Sequence, residues 1–127
     1  MSITFPYVRK DGSFYPVVDI MLKGKKAEIT VKALLDSGAS FSVFRSEIAD
    51  HLGVIVERGK PLYLEGIGGR ILGYLHWISV AVGGRKFLCR IAFSREFSVS
   101  LNLIGRDNFF SKFRITFDEK HKQVVLE

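Results

Sequence analysis

The chain has 127 residues, of which 47% are hydrophobic and 25% charged, and its formal net charge at pH 7 is +6. This composition is typical of globular proteins and excludes a disordered chain, and the length predicts one domain over residues 1–127. The single cysteine, Cys89, excludes an intrachain disulfide framework and is compatible with a reducing compartment.

The sequence shows no targeting or membrane segment. Residues 1–6 lack the basic region and apolar stretch of a signal peptide. No run approaches the roughly 20 apolar residues that a transmembrane helix needs. We therefore expect a cytoplasmic protein without a membrane segment in this chain.

The positive charge is compatible with two kinds of surface. Several lysines and arginines fall in three apparent turns: Lys23, Lys25 and Lys26; Arg85 and Lys86; Lys120 and Lys122. Basic residues on exposed turns protect strand edges from aggregation, so solvated turns are favoured over a nucleic-acid surface. No nucleic acid partner is expected, and a basic adaptor that binds nucleic acid is the weaker alternative.

The first half of the chain predicts a hairpin followed by a helix. Residues 16–22 and 28–35 have the apolar alternation of strands, and the turn at residues 23–26 joins them. Ser46 as N-cap and Gly53 as the closing residue then bound a short predicted helix.

The middle of the chain predicts a second hairpin. Residues 61–64 are extended and lead into a glycine-rich loop at residues 65–70. Strands follow over residues 74–82 and 86–93, and the turn between them is Gly83-Gly84.

The last part of the chain repeats the order of elements seen in the first half. An apolar run ends at Gly105, a short helix is predicted over residues 107–113, and residues 114–118 and 123–126 form a final hairpin. With frequent Val, Ile and Phe, this order predicts an all-β fold.

One carboxylate stands out because it directly follows an apolar strand. Asp36 lies in the segment LLDSGA at residues 34–39. A buried carboxylate is costly unless it is hydrogen-bonded, so Asp36 is either a catalytic group or a structural turn residue. Ser37 and Gly38 behind it suit a tight turn. The corresponding run at residues 103–105 has no aspartate.

Three motifs resemble those of the retropepsin-like aspartic proteases, the single-domain family of retroviral proteases and their cellular relatives. Residues 34–39 (LLDSGA) resemble the active-site motif, residues 66–69 (GIGG) the flap tip, and residues 102–107 (NLIGRD) the second signature. They occur in the family's order, over roughly residues 14–126. The resemblance implies an all-β closed barrel with a flap hairpin and one or two short helices.

The chemistry of that family requires a pair of carboxylates. Two aspartates about 3 Å apart share one proton, and one acts as general base on a water while the other donates to the scissile carbonyl. Because the chain has one such motif, we expect a homodimer with two-fold symmetry in which each copy gives one Asp36.

The resemblance also implies roles for the neighbouring residues. Ser37 would hydrogen-bond across the dimer axis, Gly38 would offer its backbone to substrate, and Ala39 and Ile104 would line side-chain pockets. The flap would close over an extended peptide, and its tip consists of Gly66, Ile67, Gly68 and Gly69.

Two features depart from the viral pattern. Ser40 and Phe41 stand where viral relatives carry an acidic pair. The final hairpin also extends beyond the short viral pattern, as in cellular members. Subsite preferences and dimer contacts are therefore not transferable from the viral enzymes.

The Asp36 motif and the family resemblance together predict an aspartic endopeptidase that needs no metal or cofactor and works best at acidic pH. The three histidines are far apart in sequence and lack the spacing of metal ligands. Cys89 lies in an apolar strand, which favours a small buried hydrophobic residue over a nucleophile. The glycines at residues 66–69 could also form an ordinary hairpin tip. The alternative function is a catalytically weak or inactive dimer that binds peptides or a partner protein through the same groove.

Overall fold

The computed structural model of the protein describes residues 2–66 and 69–127. Within these residues the chain forms twelve β-strands, one α-helix and two short 3₁₀-helices. The predicted all-β class is confirmed.

The elements are numbered in chain order. The strands are β1 Ile3–Pro6, β2 Val8–Lys10, β3 Ser13–Tyr15, β4 Val17–Lys23, β5 Glu28–Leu35, β6 Ser42–Arg45, β7 Lys60–Gly66, β8 Gly69–Val82, β9 Arg85–Ser94, β10 Asn102–Ile104, β11 Ile115–Asp118 and β12 Gln123–Leu126. The helices are α1 Ser46–Leu52 and the 3₁₀-helices Val56–Arg58 and Phe110–Lys112.

Seven strands form the main sheet, in the order β4-β5-β10-β6-β9-β8-β7. Because β4 also pairs with β8, six of them make a continuous ring of hydrogen-bonded neighbours, and β7 pairs with the first part of β8, residues 69–75. The predicted hairpins are present: β4 pairs antiparallel with β5, and β8 pairs antiparallel with β9. The ring brings strands from both halves of the chain together.

The core lies inside this ring because alternate strand side chains point to the same face. In β4, for example, Val18, Ile20 and Leu22 are at most 1% exposed, whereas Asp19 between them is solvent-exposed. Large side chains from other elements fill the remaining space, among them Phe44, Phe93 and Phe109. Their burial is the main force that holds the ring closed.

A smaller sheet, β1-β12-β11, covers one side of the ring. It includes the predicted C-terminal hairpin, β11–β12, and a strand near the start of the chain that the sequence did not predict. Tyr7 follows β1, and its hydroxyl donates to the carboxylate of Glu119. Burial, followed by the hydrogen bond to Glu119 and the negative charge of that carboxylate, raises the pKa of Tyr7 to about 12.

The short helix predicted over residues 107–113 is present only as a 3₁₀-helix, which spans Phe110–Lys112. Asn108 has a positive φ of 63°, a left-handed conformation that interrupts a right-handed helix. Phe109, the next residue, is fully buried. Packing of its phenyl side chain against the core therefore decides the local conformation.

The predicted helix after β6 is present, but its N-cap is one residue earlier than predicted. Arg45 is the N-cap and makes no side-chain capping bond. Ser46 is instead the first helical residue and donates to the Glu47 carboxylate at 3.2 Å. Gly53 ends the helix as predicted, with a φ of 82° that suits glycine. No helix in the described part of the chain is long and apolar enough to cross a bilayer.

Candidate active site

The site begins where two strands end side by side. β5 and β10 pair in parallel, and their last residues, Leu35 and Ile104, are partners in the register. The next amide, that of Asp36, donates to the Ile104 carbonyl at 2.9 Å. Asp36 is therefore fixed to the neighbouring strand at the point where its own strand stops.

A tight turn orients the Asp36 carboxylate. The Ala39 amide donates to the Asp36 carbonyl at 3.1 Å, and the Gly38 amide donates to Asp36 Oδ1 at 2.9 Å. A Cβ atom at Gly38 would lie 3.3 Å from the same Oδ1, which is a tight contact. Glycine at this position allows the turn to approach the half-buried carboxylate closely.

Gly105 supports this turn from the second half of the chain. It is buried, and a Cβ atom on it would lie 2.5 Å from the backbone carbon and 2.8 Å from the backbone nitrogen of Phe41. Its amide donates to the hydroxyl of the buried Ser42 at 3.1 Å. The glycine of the second motif thus lets two backbone segments cross at close range.

The residues after Gly105 extend the same contact. The Arg106 amide donates to the Ala39 carbonyl at 2.9 Å, and the Asp107 amide donates to the Ser40 carbonyl at 2.8 Å. Backbone hydrogen bonds from the second motif therefore hold the loop that carries Asp36 in place.

The Asp36 loop borders a groove of about 620 Å³. The opposite wall comes from strand β7, so the groove lies between the carboxylate and the β7–β8 hairpin. Its lining residues are Asp36, Gly38, Ala39, Ser40, Phe41, Val43, Tyr63, Leu64, Glu65, Gly66 and Leu103. This arrangement places an oriented carboxylate beside a largely apolar cleft that is open to solvent.

Two of the four residues predicted to form a flap tip, Gly66 and Gly69, lie in the β7–β8 hairpin beside the groove. β7 and β8 pair up to Gly66 and Gly69, which face each other at its end. The Arg70 guanidinium lies 4.2 Å from the centre of the Tyr63 ring. The other two residues assigned to the flap tip, Ile67 and Gly68, lie outside the described residues.

The remaining predicted site residues are in different settings. Ala39 is half-buried and lines the groove, whereas Ser37 is solvent-exposed. Ile104 was expected to contact substrate, but its side chain is 1% exposed and packs in the core. Its neighbour Leu103 lines the groove instead, because successive strand residues point to opposite faces. A role of Ser37 across a dimer axis stays a prediction.

Several groove residues were missed in the sequence. Tyr63, Val43 and Leu64 line the groove and belong to none of the three motifs. Leu103 also lines the groove, but within the second motif only Ile104 is predicted to contact substrate. In the sequence, Glu65 marks only the start of the glycine-rich loop. The one sequence signal for them is proximity to the three motifs, because their convergence depends on strand pairing between distant segments.

Other reactive side chains do not form a second centre in residues 2–66 and 69–127. No group of three or more His, Cys, Asp and Glu side chains there is close enough to hold a metal ion. Cys89 is buried, and burial, with the negative charge of Asp107, raises the pKa of its thiol to about 12. A thiol in that state is a poor nucleophile at neutral pH.

Comparison with known proteins gives one informative match. A protein-family model described as aspartyl protease matches residues 18–107. The matched range includes Asp36, the β7–β8 hairpin and Gly105. No curated protein matches the chain.

Proposed function

Because the chain belongs to the aspartyl protease family, we propose that it is an aspartic endopeptidase of the retropepsin-like type. The observation that carries the proposal is the setting of Asp36. Its carboxylate is half-buried, held by the Gly38 amide at 2.9 Å, and borders a groove. Such an oriented, partly desolvated carboxylate is suited to acid–base catalysis.

The second catalytic carboxylate is proposed to be Asp36 of another copy of the chain. Two carboxylates about 3 Å apart cannot both be ionised, so they hold one proton between them and supply a base and an acid together. Within this chain, the strand end beside Asp36 carries Gly105 and no acidic group at the equivalent place. A dimer with two-fold symmetry would bring the two Asp36 loops to its axis.

The proposed reaction is peptide hydrolysis by an activated water. The ionised carboxylate accepts a proton from the water as its oxygen bonds to the carbonyl carbon, and the protonated carboxyl gives its proton to the carbonyl oxygen. The C–N bond of the resulting tetrahedral diol then breaks: the nitrogen takes the proton that the first carboxylate accepted from the water, and the second carboxylate takes a proton from a hydroxyl of the diol. The products are a carboxylic acid and an amine, without a covalent enzyme intermediate.

The substrate is proposed to bind as an extended strand. β7 is the last strand in the order of the main sheet, and its residues Tyr63 to Gly66 line the groove. An edge strand has main-chain donors and acceptors that an added peptide can pair with. Extended peptides therefore fit this cleft better than compact ligands.

The decisive test is cleavage of a peptide library by the wild-type protein and by Asp36→Asn. We expect the substitution to lower cleavage by at least about a thousandfold, since the amide can neither accept nor share the proton. Asp19→Asn is the matched control, because Asp19 lies on the exposed face of β4 and pairs with Lys32 at 2.9 Å. Equal cleavage by the wild type and Asp36→Asn would exclude the proposal.

The dimer and the shared proton are tested separately. Activity per chain should fall on dilution in parallel with dissociation of the dimer, as measured by sedimentation. Full activity in a strict monomer would contradict a shared site.

The rate of cleavage should also be highest at acidic pH, and a flat rate profile from about pH 3 to 8 would contradict a shared proton. Peptide binding without cleavage under all these conditions would support the alternative, an inactive dimeric peptide-binding module.

A further inference from the structure

The charge of the groove is opposite to that of the chain as a whole. The sequence contains 19 lysines and arginines against 13 aspartates and glutamates. Among the described residues, however, the charged side chains that line the groove and its continuation are all acidic, namely Asp36, Glu65 and Glu96. An anionic cleft on a cationic protein favours a cationic ligand.

The continuation of the groove is a pocket of about 410 Å³. It shares Val43, Leu64 and Leu103 with the part of the groove that borders Asp36. Glu65 of β7 and Glu96, which follows β9, contribute the carboxylates. The pocket therefore combines apolar walls with two acidic groups.

Hydrogen bonds fix the backbone at Glu96. The Ser94 hydroxyl donates to the Leu72 carbonyl at 2.6 Å and accepts from the Glu96 amide at 3.1 Å. The Glu96 carboxylate accepts from the Leu72 amide at 3.4 Å, near the upper limit for a hydrogen bond. The carboxylate is thus held in the pocket by a weak contact that leaves acceptor capacity for a ligand.

The side chain of Arg95, the residue before Glu96, also holds this part of the backbone in place. Arg95 donates to Glu57 at 2.9 Å and to Asp50 at 3.1 Å. These bonds connect the start of the segment to α1 and to the following 3₁₀-helix. Glu96 is therefore presented from an anchored backbone.

The carboxylate of Glu65 is also available to a ligand. Its side chain is 75% exposed and lies 3.7 Å from Arg70, which is itself 59% exposed. Exposed ion pairs of this length contribute little and exchange readily with other partners. Arg70 also stacks on Tyr63, so it has a contact to keep when a substrate cation takes its place at Glu65.

We propose that the pocket between Glu65 and Glu96 selects a lysine or arginine side chain of the peptide substrate. The aliphatic stem would lie against Val43, Leu64 and Leu103, and the charged end would meet the two carboxylates. The inference rests on the proposed function, and it makes Glu65 and Glu96 specificity-determining residues. In a two-fold dimer the pocket occurs twice, so the preference should appear on both sides of the cleaved bond.

The test is a decapeptide library in which each position in turn is fixed as lysine, norleucine or glutamate. Norleucine has a similar stem without the charge, so the ratio of kcat/KM for lysine to that for norleucine isolates the ionic contribution. We expect wild-type protein to prefer lysine by roughly tenfold, and Glu65→Gln or Glu96→Gln to lower the ratio by roughly fivefold each. The ratio is measured within each variant, so a loss of folded enzyme does not change it.

Glu28→Gln is the matched control. Glu28 is exposed and starts β5, at the opposite end of that strand from Asp36, so its removal should leave the ratio unchanged. The lysine preference should also weaken as salt screens the carboxylates.

The outcomes separate the pocket from the protease. Cleavage of norleucine peptides at least as fast as lysine peptides would overturn the inference and leave the proposed function standing. If the wild type cleaves no peptide, the proposed function fails, and fluorescence polarisation with the same labelled peptides decides the pocket. Tighter binding of the lysine series, lost in Glu96→Gln, would support it, and equal binding of the lysine and norleucine series would overturn it.

Discussion

Two neighbouring strand ends in this molecule have different tasks. β5 and β10 stop side by side in a parallel pair, and each is followed by a turn. The turn after β5 carries a half-buried carboxylate at Asp36, whereas the turn after β10 begins with the buried Gly105. The first borders the groove, and the second contacts the first through backbone hydrogen bonds.

The comparison indicates different roles for the two turns: the Asp36 turn carries the reactive group, and the Gly105 turn holds the Asp36 turn in place. A side chain at Gly105 would overlap the backbone of Phe41, so this strand end cannot carry any side chain, let alone a second carboxylate, without moving the Asp36 loop. The proposed partner carboxylate must then come from another copy. Changes at Asp36 should alter activity at constant stability, and changes at Gly105 should alter stability first.

The largest effect on stability is expected for Gly105→Ala. The new methyl group would sit within 3 Å of the backbone N and C atoms of Phe41, and backbone cannot move aside as a flexible side chain does. Overpacking of this kind costs about 3 kcal/mol, which corresponds to a fall in Tm of roughly 10 °C. Thermal unfolding followed by circular dichroism measures it.

Gly66→Ala is the control for that substitution. Among the described residues, no atom would lie within 4 Å of a Cβ atom at Gly66, so the same chemical change should leave the Tm within about 2 °C. If the two variants unfold at the same temperature, Gly105 is not the support that the close contact suggests.

A smaller effect, on activity and not on stability, is expected for Gly38→Ala. The added Cβ would lie 3.3 Å from Asp36 Oδ1, so the carboxylate must shift by a few tenths of an ångström. Misplacement of a catalytic group by that amount should lower kcat by about tenfold, with little change in Tm. A Tm loss as large as that of Gly105→Ala, with kcat unchanged, would contradict the distinction between the two loops.

The smallest effect on stability is expected for loss of the ion pair between Arg95 and Glu57. This pair connects the segment before β10 to the first half of the chain. Hydrogen bonds from Arg95, with a backbone hydrogen bond, lower the pKa of Glu57 below its ordinary range. The unfolded chain therefore takes up a proton more readily than the folded protein, so this contribution is full above about pH 4.3 and is lost as the pH falls through the lowered pKa.

Arg95→Gln tests this connection. The variant should have a Tm about 2 °C lower than the wild type at pH 7, because exposed ion pairs contribute little. The difference between the two proteins should shrink as the pH falls below about 4. A difference that is constant from pH 7 to pH 3 would show that the ion pair itself does not contribute.

Much of the fold could be predicted from local patterns. The hairpins β4–β5, β8–β9 and β11–β12 were visible because alternation and turn residues act over a few positions. The same holds for the end of α1, where Gly53 adopts the left-handed conformation. Short strands such as β6 were not visible, because β6 is held by pairing with the distant β9 and β10.

The sequence by itself determined the all-β class and the position of Asp36 on a tight turn after a buried strand, since periodicity and turn chemistry are local properties. Only the tertiary structure decided that Leu103 and not Ile104 faces the groove, and that residues 107–113 form no α-helix. It also decided that Gly105 packs on Phe41 and that Glu65 and Glu96 line one pocket. These features depend on contacts between segments far apart in the chain, and close packing fixes them only when the ring of strands is complete.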